Sequence, residues 1–162
     1  MRAKLRHARL AVALLAALSL TSCSYMTDFV VLNKSGAPVV VEYTFKERLV
    51  GGPVCCPAGE RPARKSVREV ENEGDTAWTD LREDEFTYDA KAGRITVFVK
   101  PGDALRVMRD VNYGGHEQET AADAFDLKSI GLTGAKGSMH VEGRQAQTAF
   151  KEVSANLYTL TY

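Results

Sequence analysis

The sequence predicts an all-β fold, an antiparallel β-sandwich of the immunoglobulin-like or a related kind, with a small β-barrel as the alternative. Three observations carry this. Apolar residues recur with a period of two in several short segments; Gly, Pro, Asn and Ser mark turns between those segments; and Gly or Pro interrupts most windows in which a helix could begin. Strands with one apolar face bury it by stacking two sheets or by closing one on itself.

Taken in chain order, Phe29 to Leu32 is a short apolar strand, and Asn33-Lys34-Ser35-Gly36 supplies turn residues after it. In VVVEYTFK, Val39, Val41, Tyr43 and Phe45 alternate with Val40, Glu42, Thr44 and Lys46, which suits a strand with one buried face. The two strands are expected to pair as an N-terminal hairpin. Val50 to Pro62, rich in Gly and Pro, reads as an irregular loop. A second hairpin is expected where RITVFV meets Pro101-Gly102 and then ALRVMRDV, because Pro fixes φ at the second turn position and Gly accepts the positive φ of a type II third position. Glu117 to Ala124 has room for a short helical turn. Further strands are expected over Ala124 to Leu132, Gly137 to Glu142, Gln147 to Val153 and Asn156 to Tyr162. In the last of these Tyr158, Leu160 and Tyr162 share one face, while Leu157, Thr159 and Thr161 share the other. No internal repeat is evident.

The start of the chain carries a different pattern. Arg2, Lys4, Arg6 and Arg9 occur without an acidic residue before a run, Leu10 to Leu20, that only Ser19 interrupts. This is an export signal, too short for a permanent membrane-spanning helix. It ends in Leu20-Thr21-Ser22-Cys23, an apolar residue and two small ones before a Cys, and so resembles the lipobox of bacterial lipoproteins. The resemblance covers residues 1 to 23. It implies that the Cys23 thiol receives a diacylglycerol, that the signal is cut just before it, and that the new amino group is acylated. Ser24, where Asp would argue for inner-membrane retention, points to the outer membrane of a Gram-negative cell. Arg6 and Arg9 are not adjacent, so a twin-arginine signal is absent, export in the unfolded state is expected, and no cofactor is expected.

The organisation read from this is a signal peptide over 1–22, the lipidated Cys and a tether over 23–27, and one β-rich domain over 28–162. The tether, Ser24 to Thr27, spans on the order of 13 Å when extended. Loss of residues 1–22 removes four of the 21 basic residues and leaves 17 against 21 acidic ones, a balance that disfavours a nucleic-acid partner. The remainder is long enough to bury a hydrophobic core, and no apolar run in it is long enough to cross a membrane. The partners implied are the membrane, through the lipid on Cys23, and an envelope protein.

Candidate chemistry centres on Gly51-Gly52-Pro53-Val54-Cys55-Cys56-Pro57. With Cys23 lipidated, Cys55 and Cys56 are the remaining thiols, in a compartment that favours disulfides. Adjacent Cα atoms lie about 3.8 Å apart, below the usual disulfide range, so a vicinal bridge would be strained and easily reduced. A bridge to another chain, a metal held by two thiolates and an inert pair are the other readings. Gly115-His116-Glu117-Gln118-Glu119 lacks the second His of a zinc helix, and His140 shares strand parity with Glu142 toward solvent. The acidic run Asp80 to Glu85, with Asp89, lacks calcium-loop spacing and reads as a solvated turn. Arg61, Arg64, Lys65 and Arg68 form a basic patch, either the wet face of a strand or a contact for anionic head groups. Trp78, Phe86 and Tyr88 are either core or the lining of a ligand pocket. There is no G-x-S-x-G, no phosphate loop and no nucleophile paired with a base. The leading reading is a non-enzymatic, periplasm-facing contact module anchored by lipid. A thiol-dependent redox or metal-handling protein using Cys55 and Cys56 is the alternative, and an envelope hydrolase is the third.

Overall fold

The computed structural model describes residues 26–46, 61–72, 77–111, 125–154 and 156–162. Eleven strands and two short helices are assigned among them: β1 Met26–Leu32, β2 Val39–Phe45, β3 Ala63–Ser66, α1 Val67–Glu71, β4 Thr79–Asp80, β5 Phe86–Asp89, β6 Arg94–Val99, β7 Asp103–Val111, β8 Leu127–Gly134, β9 Gly137–Glu142, α2 Arg144–Ala149, β10 Lys151–Ser154 and β11 Leu157–Thr161. The strands form a six-stranded sheet, β10-β11-β1-β7-β3-β4, and a five-stranded sheet, β5-β6-β2-β8-β9. Each has two free ends among the described residues, so the arrangement is sandwich-like and not a closed barrel. It departs from a wholly antiparallel sandwich at one pair: β11 runs parallel to β1, Asp28 opposite Leu157 through Leu32 opposite Thr161.

The core lies between the sheets. Phe29, Val31, Leu105 and Leu160 from one meet Val39, Val41, Tyr43, Ile95, Val97, Leu127, Ile130 and Leu132 from the other. The alternation in β2 is realised, with Val39, Val41 and Tyr43 buried and Glu42 exposed. In β11, Leu160 joins this core with Tyr158 and Tyr162 packed beside it, while Leu157 packs against a second cluster. Phe29 organises one end: its ring stacks on Tyr158 at 5.1 Å and meets Phe125 and Phe150 edge-on at 5.1 and 5.5 Å.

Both expected hairpins are corrected. β1 and β2 lie in different sheets, as do β6 and β7. Their turns have the expected chemistry: the Asp103 amide donates to the Lys100 carbonyl at 3.1 Å, and Gly102 has φ +79°. Each turn carries the chain over the edge of the core instead of folding it back within one sheet. The reason lies in β1, which is apolar on both faces. Phe29 and Val31 enter the central core, while Val30 and Leu32 join Val67, Val70 and Ala104 on the outside of the six-stranded sheet. A strand covered on both faces takes the middle of a sheet, here between β11 and β7.

Helix α1 supplies that outer cover. Ser66 caps it: its hydroxyl accepts from the Glu69 amide at 3.2 Å, and the Glu69 carboxylate accepts from the Ser66 amide at 2.9 Å, a reciprocal capping box. The strand expected over Gln147 to Val153 is also corrected. Its first part belongs to α2, whose Ala146 is buried, and only Lys151–Ser154 is strand. Glu117 to Ala124, like nearly all of the loop from Val50 to Pro62, falls outside the described residues.

Candidate functional site

Two ends of the sandwich are chemically distinct. At the entry end, Met26 opens β1 opposite Val111. At the other, the crossover end, Asn33 is fully buried and its side-chain amide donates to the carbonyls of Ala37 and Val99, both at 2.9 Å. Its Oδ1 accepts from the Ser35 amide at 3.0 Å and the Ser35 hydroxyl at 2.6 Å. One side chain therefore ties the β1–β2 connection to the last residue of β6.

Beside this end, where β4 and β5 edge their sheets, a cleft of about 470 Å³ opens between the layers. Leu81, Phe86, Val97, Val99 and Leu105 give it apolar walls; Arg64, Arg82, Asp84, Glu85, Lys100 and Asp103 supply charges around it. Phe98, 71 % exposed, stands among the lining residues. The positioning is local. β3 pairs with β4, Ala63 opposite Asp80 and Arg64 opposite Thr79, which carries the segment after β4 across the basic segment before it.

The basic patch and the acidic run, read separately in the sequence, are therefore brought together. Arg64 Nη1 donates to Glu85 Oε1 at 2.6 Å, Arg61 reaches Glu83 at 3.4 Å, and Arg106 approaches Asp80 at 3.8 Å. Glu85 also accepts from the Arg82 amide at 2.9 Å. That hydrogen bond is the main cause holding the Glu85 carboxyl below the ordinary carboxylate range; partial burial opposes it, and the Arg64 charge adds to it. Lys65 lies 5.0 Å from the centre of the Trp78 ring and Arg106 5.4 Å, both in cation–π range. Of the four basic residues, Arg68 alone rides on α1, exposed.

Trp78, Phe86 and Tyr88 do not form one pocket. Trp78 packs on the outer cluster under α1, whereas Phe86 and Tyr88 pack against the central core, with Phe86 also lining the cleft. His140 faces solvent as its parity predicts, and its Nε2 lies 3.0 Å from Glu142 Oε1. Among the described residues no three His, Cys, Asp or Glu side chains gather where they could hold a metal ion. Cys23, Cys55, Cys56 and His116 lie outside the described residues.

The cleft is a constellation that sequence reading missed as a site. Its residues come from four separated segments, and the only advance signal was the opposite charge of two of them. What it offers chemically is contact: an exposed aromatic side chain, apolar walls and paired charges of both signs. No protein-family model, no curated protein and no solved structure matches this chain.

Proposed function

We propose that this chain is a lipid-anchored accessory of the bacterial cell envelope, held on the periplasmic face of the outer membrane through Cys23 and acting by contact with another envelope protein. The observation that carries the reading is the Leu20-Thr21-Ser22-Cys23 sequence standing directly before the first strand, β1. Only Ser24 and Tyr25 separate Cys23 from Met26, which is already paired in the six-stranded sheet. In this reading the anchor attaches to a central strand, and the cleft with Phe98 stands at the end of the sandwich away from it. The partner is a protein surface able to cover an exposed phenyl ring beside Arg64 and Glu85.

The test is photo-crosslinking in intact cells from a photo-reactive residue placed at Phe98, with one at Lys91, in the exposed turn before β6, as control. The expected result is one dominant adduct to an envelope protein from position 98 that position 91 does not give. Equal or absent adducts from the two positions contradict the contact reading.

A further inference from the structure

We infer that the entry end of the sandwich is itself a membrane-docking surface: Met26 and Val153 enter the lipid interface, and Lys128 and Arg144 meet anionic head groups beside them. This rests on the lipid-anchor reading of Cys23 and goes beyond it, because an anchor alone leaves the domain free to swing.

The reach of the chain makes the first part of the case. Three Cα steps from Cys23 to Met26 allow about 11 Å at full extension, so the start of β1 cannot leave the head-group region of the leaflet that holds the lipid. Three large hydrophobic residues are exposed among the described residues: Met26 at 55 %, Val153 at 60 % and Phe98 at 71 %. Phe98 lies toward the crossover end, opposite Val40. Val153 lies toward the entry end, because Ser154 stands opposite Leu157 and Leu157 opposite Asp28. Two strand spacings and two to three residues of rise put it roughly 12 Å from Met26.

Charge at the same end points the same way. The start of β8 lies at the entry end, because Leu127 stands opposite Phe45, the last residue of β2. Lys128, near the start of β8, and Arg144, at the start of α2, are held together by the Gly143 amide donating to the Lys128 carbonyl at 2.8 Å. Both side chains are exposed and make no ion pair among the described residues. Among the described residues, acidic groups toward this end have partners of their own. Asp28 is clamped by Arg109, Glu142 sits 3.0 Å from His140, Glu152 accepts from Tyr158, and Asp110 and Asp126 have neighbours of their own. An apolar edge at the same end as two exposed cations suits an anionic lipid surface.

The experiment uses the full mature protein purified from membranes and reconstituted in vesicles of phosphatidylethanolamine and phosphatidylglycerol. A photo-reactive residue is placed singly at Met26, Val153 or Phe98, with Trp78 fluorescence confirming that each variant is folded. Lipid adducts are expected from positions 26 and 153 and not from 98, and a Lys128→Glu, Arg144→Glu background should reduce both. Acylated protein that gives no adduct at 26 and 153, or equal adducts at all three positions, overturns the docking while leaving the anchor intact. Protein whose mass lacks acyl chains overturns the anchor, and the docking with it.

Discussion

Asn33 and Gly102 bind each other across the crossover end: the Gly102 amide donates to the Asn33 carbonyl at 2.9 Å, and the Asn33 amide donates in turn to the Asp103 carbonyl at 3.0 Å. The β1–β2 and β6–β7 connections, two of those that pass between the sheets, are thus fastened backbone to backbone, with the Asn33 side chain locking the first to Val99.

Replacing Asn33 by Ala removes two side-chain donors and the acceptor for Ser35 at a buried position. The carbonyls of Ala37 and Val99 lose partners, and a loss of about 2–3 kcal/mol is expected from unsatisfied buried polar groups. Denaturant unfolding at constant m value checks it. Ser35→Ala should cost less, because Asn33 retains both of its donor contacts.

Gly102 adopts φ +79°, and a Cβ at this position would have nothing within 4 Å, so Gly102→Ala meets a backbone penalty without a clash. About 1 kcal/mol of destabilisation is expected. Gly36 has the same open surroundings and no positive φ, so Gly36→Ala should stay within about 0.5 kcal/mol of the parent. Paired thermal melts separate the two.

What the sequence disclosed follows from locality. Alternation in Val39 to Phe45 marks a half-buried strand whatever lies around it, and Pro101-Gly102 marks a reversal. Neither says which sheet receives the next strand. The clue was in Phe29-Val30-Val31-Leu32: four consecutive apolar residues require cover on both faces, and such a strand does not pair simply with its neighbour in sequence. The helix at Val67–Glu71 was not expected where the basic patch suggested the wet face of a strand: its Ser66-Val67-Arg68-Glu69 capping box precedes only a turn and a half, too short for periodicity to reveal. The parallel β1–β11 pair and the cleft join residues far apart in the chain, and no local pattern encodes them.

The capping box should be measurable from one fluorophore. Trp78, the only Trp, packs on the cluster that α1 covers. Ser66→Ala is expected to cost about 1 kcal/mol. Trp78 emission should shift to the red as the helix loosens over Val30 and Leu32, with the β-sheet circular dichroism retained; an unshifted spectrum contradicts the role given to α1.

Acid should weaken the link between the basic and acidic segments. In the folded chain Glu85 titrates below its ordinary value of 4.5, chiefly through the Arg82 amide hydrogen bond. The unfolded chain therefore takes up the proton first as pH falls. The Glu85 contribution is complete above that ordinary value and disappears as pH drops through the lowered folded one. The parent should lose more stability between pH 6 and about pH 3 than Glu85→Gln, which has no carboxylate to protonate. Matching pH slopes for the two proteins rule this out.

The anchor at Cys23 is the centre of the account, and intact mass of the mature protein from native membranes, compared with that of Cys23→Ala, tests it most directly. The prediction is a parent chain that begins at Cys23 and carries a diacylglycerol and a further acyl chain, with Cys23→Ala accumulating as uncut precursor. A Cys23→Ala protein that is processed normally and remains bound to the membrane would contradict it.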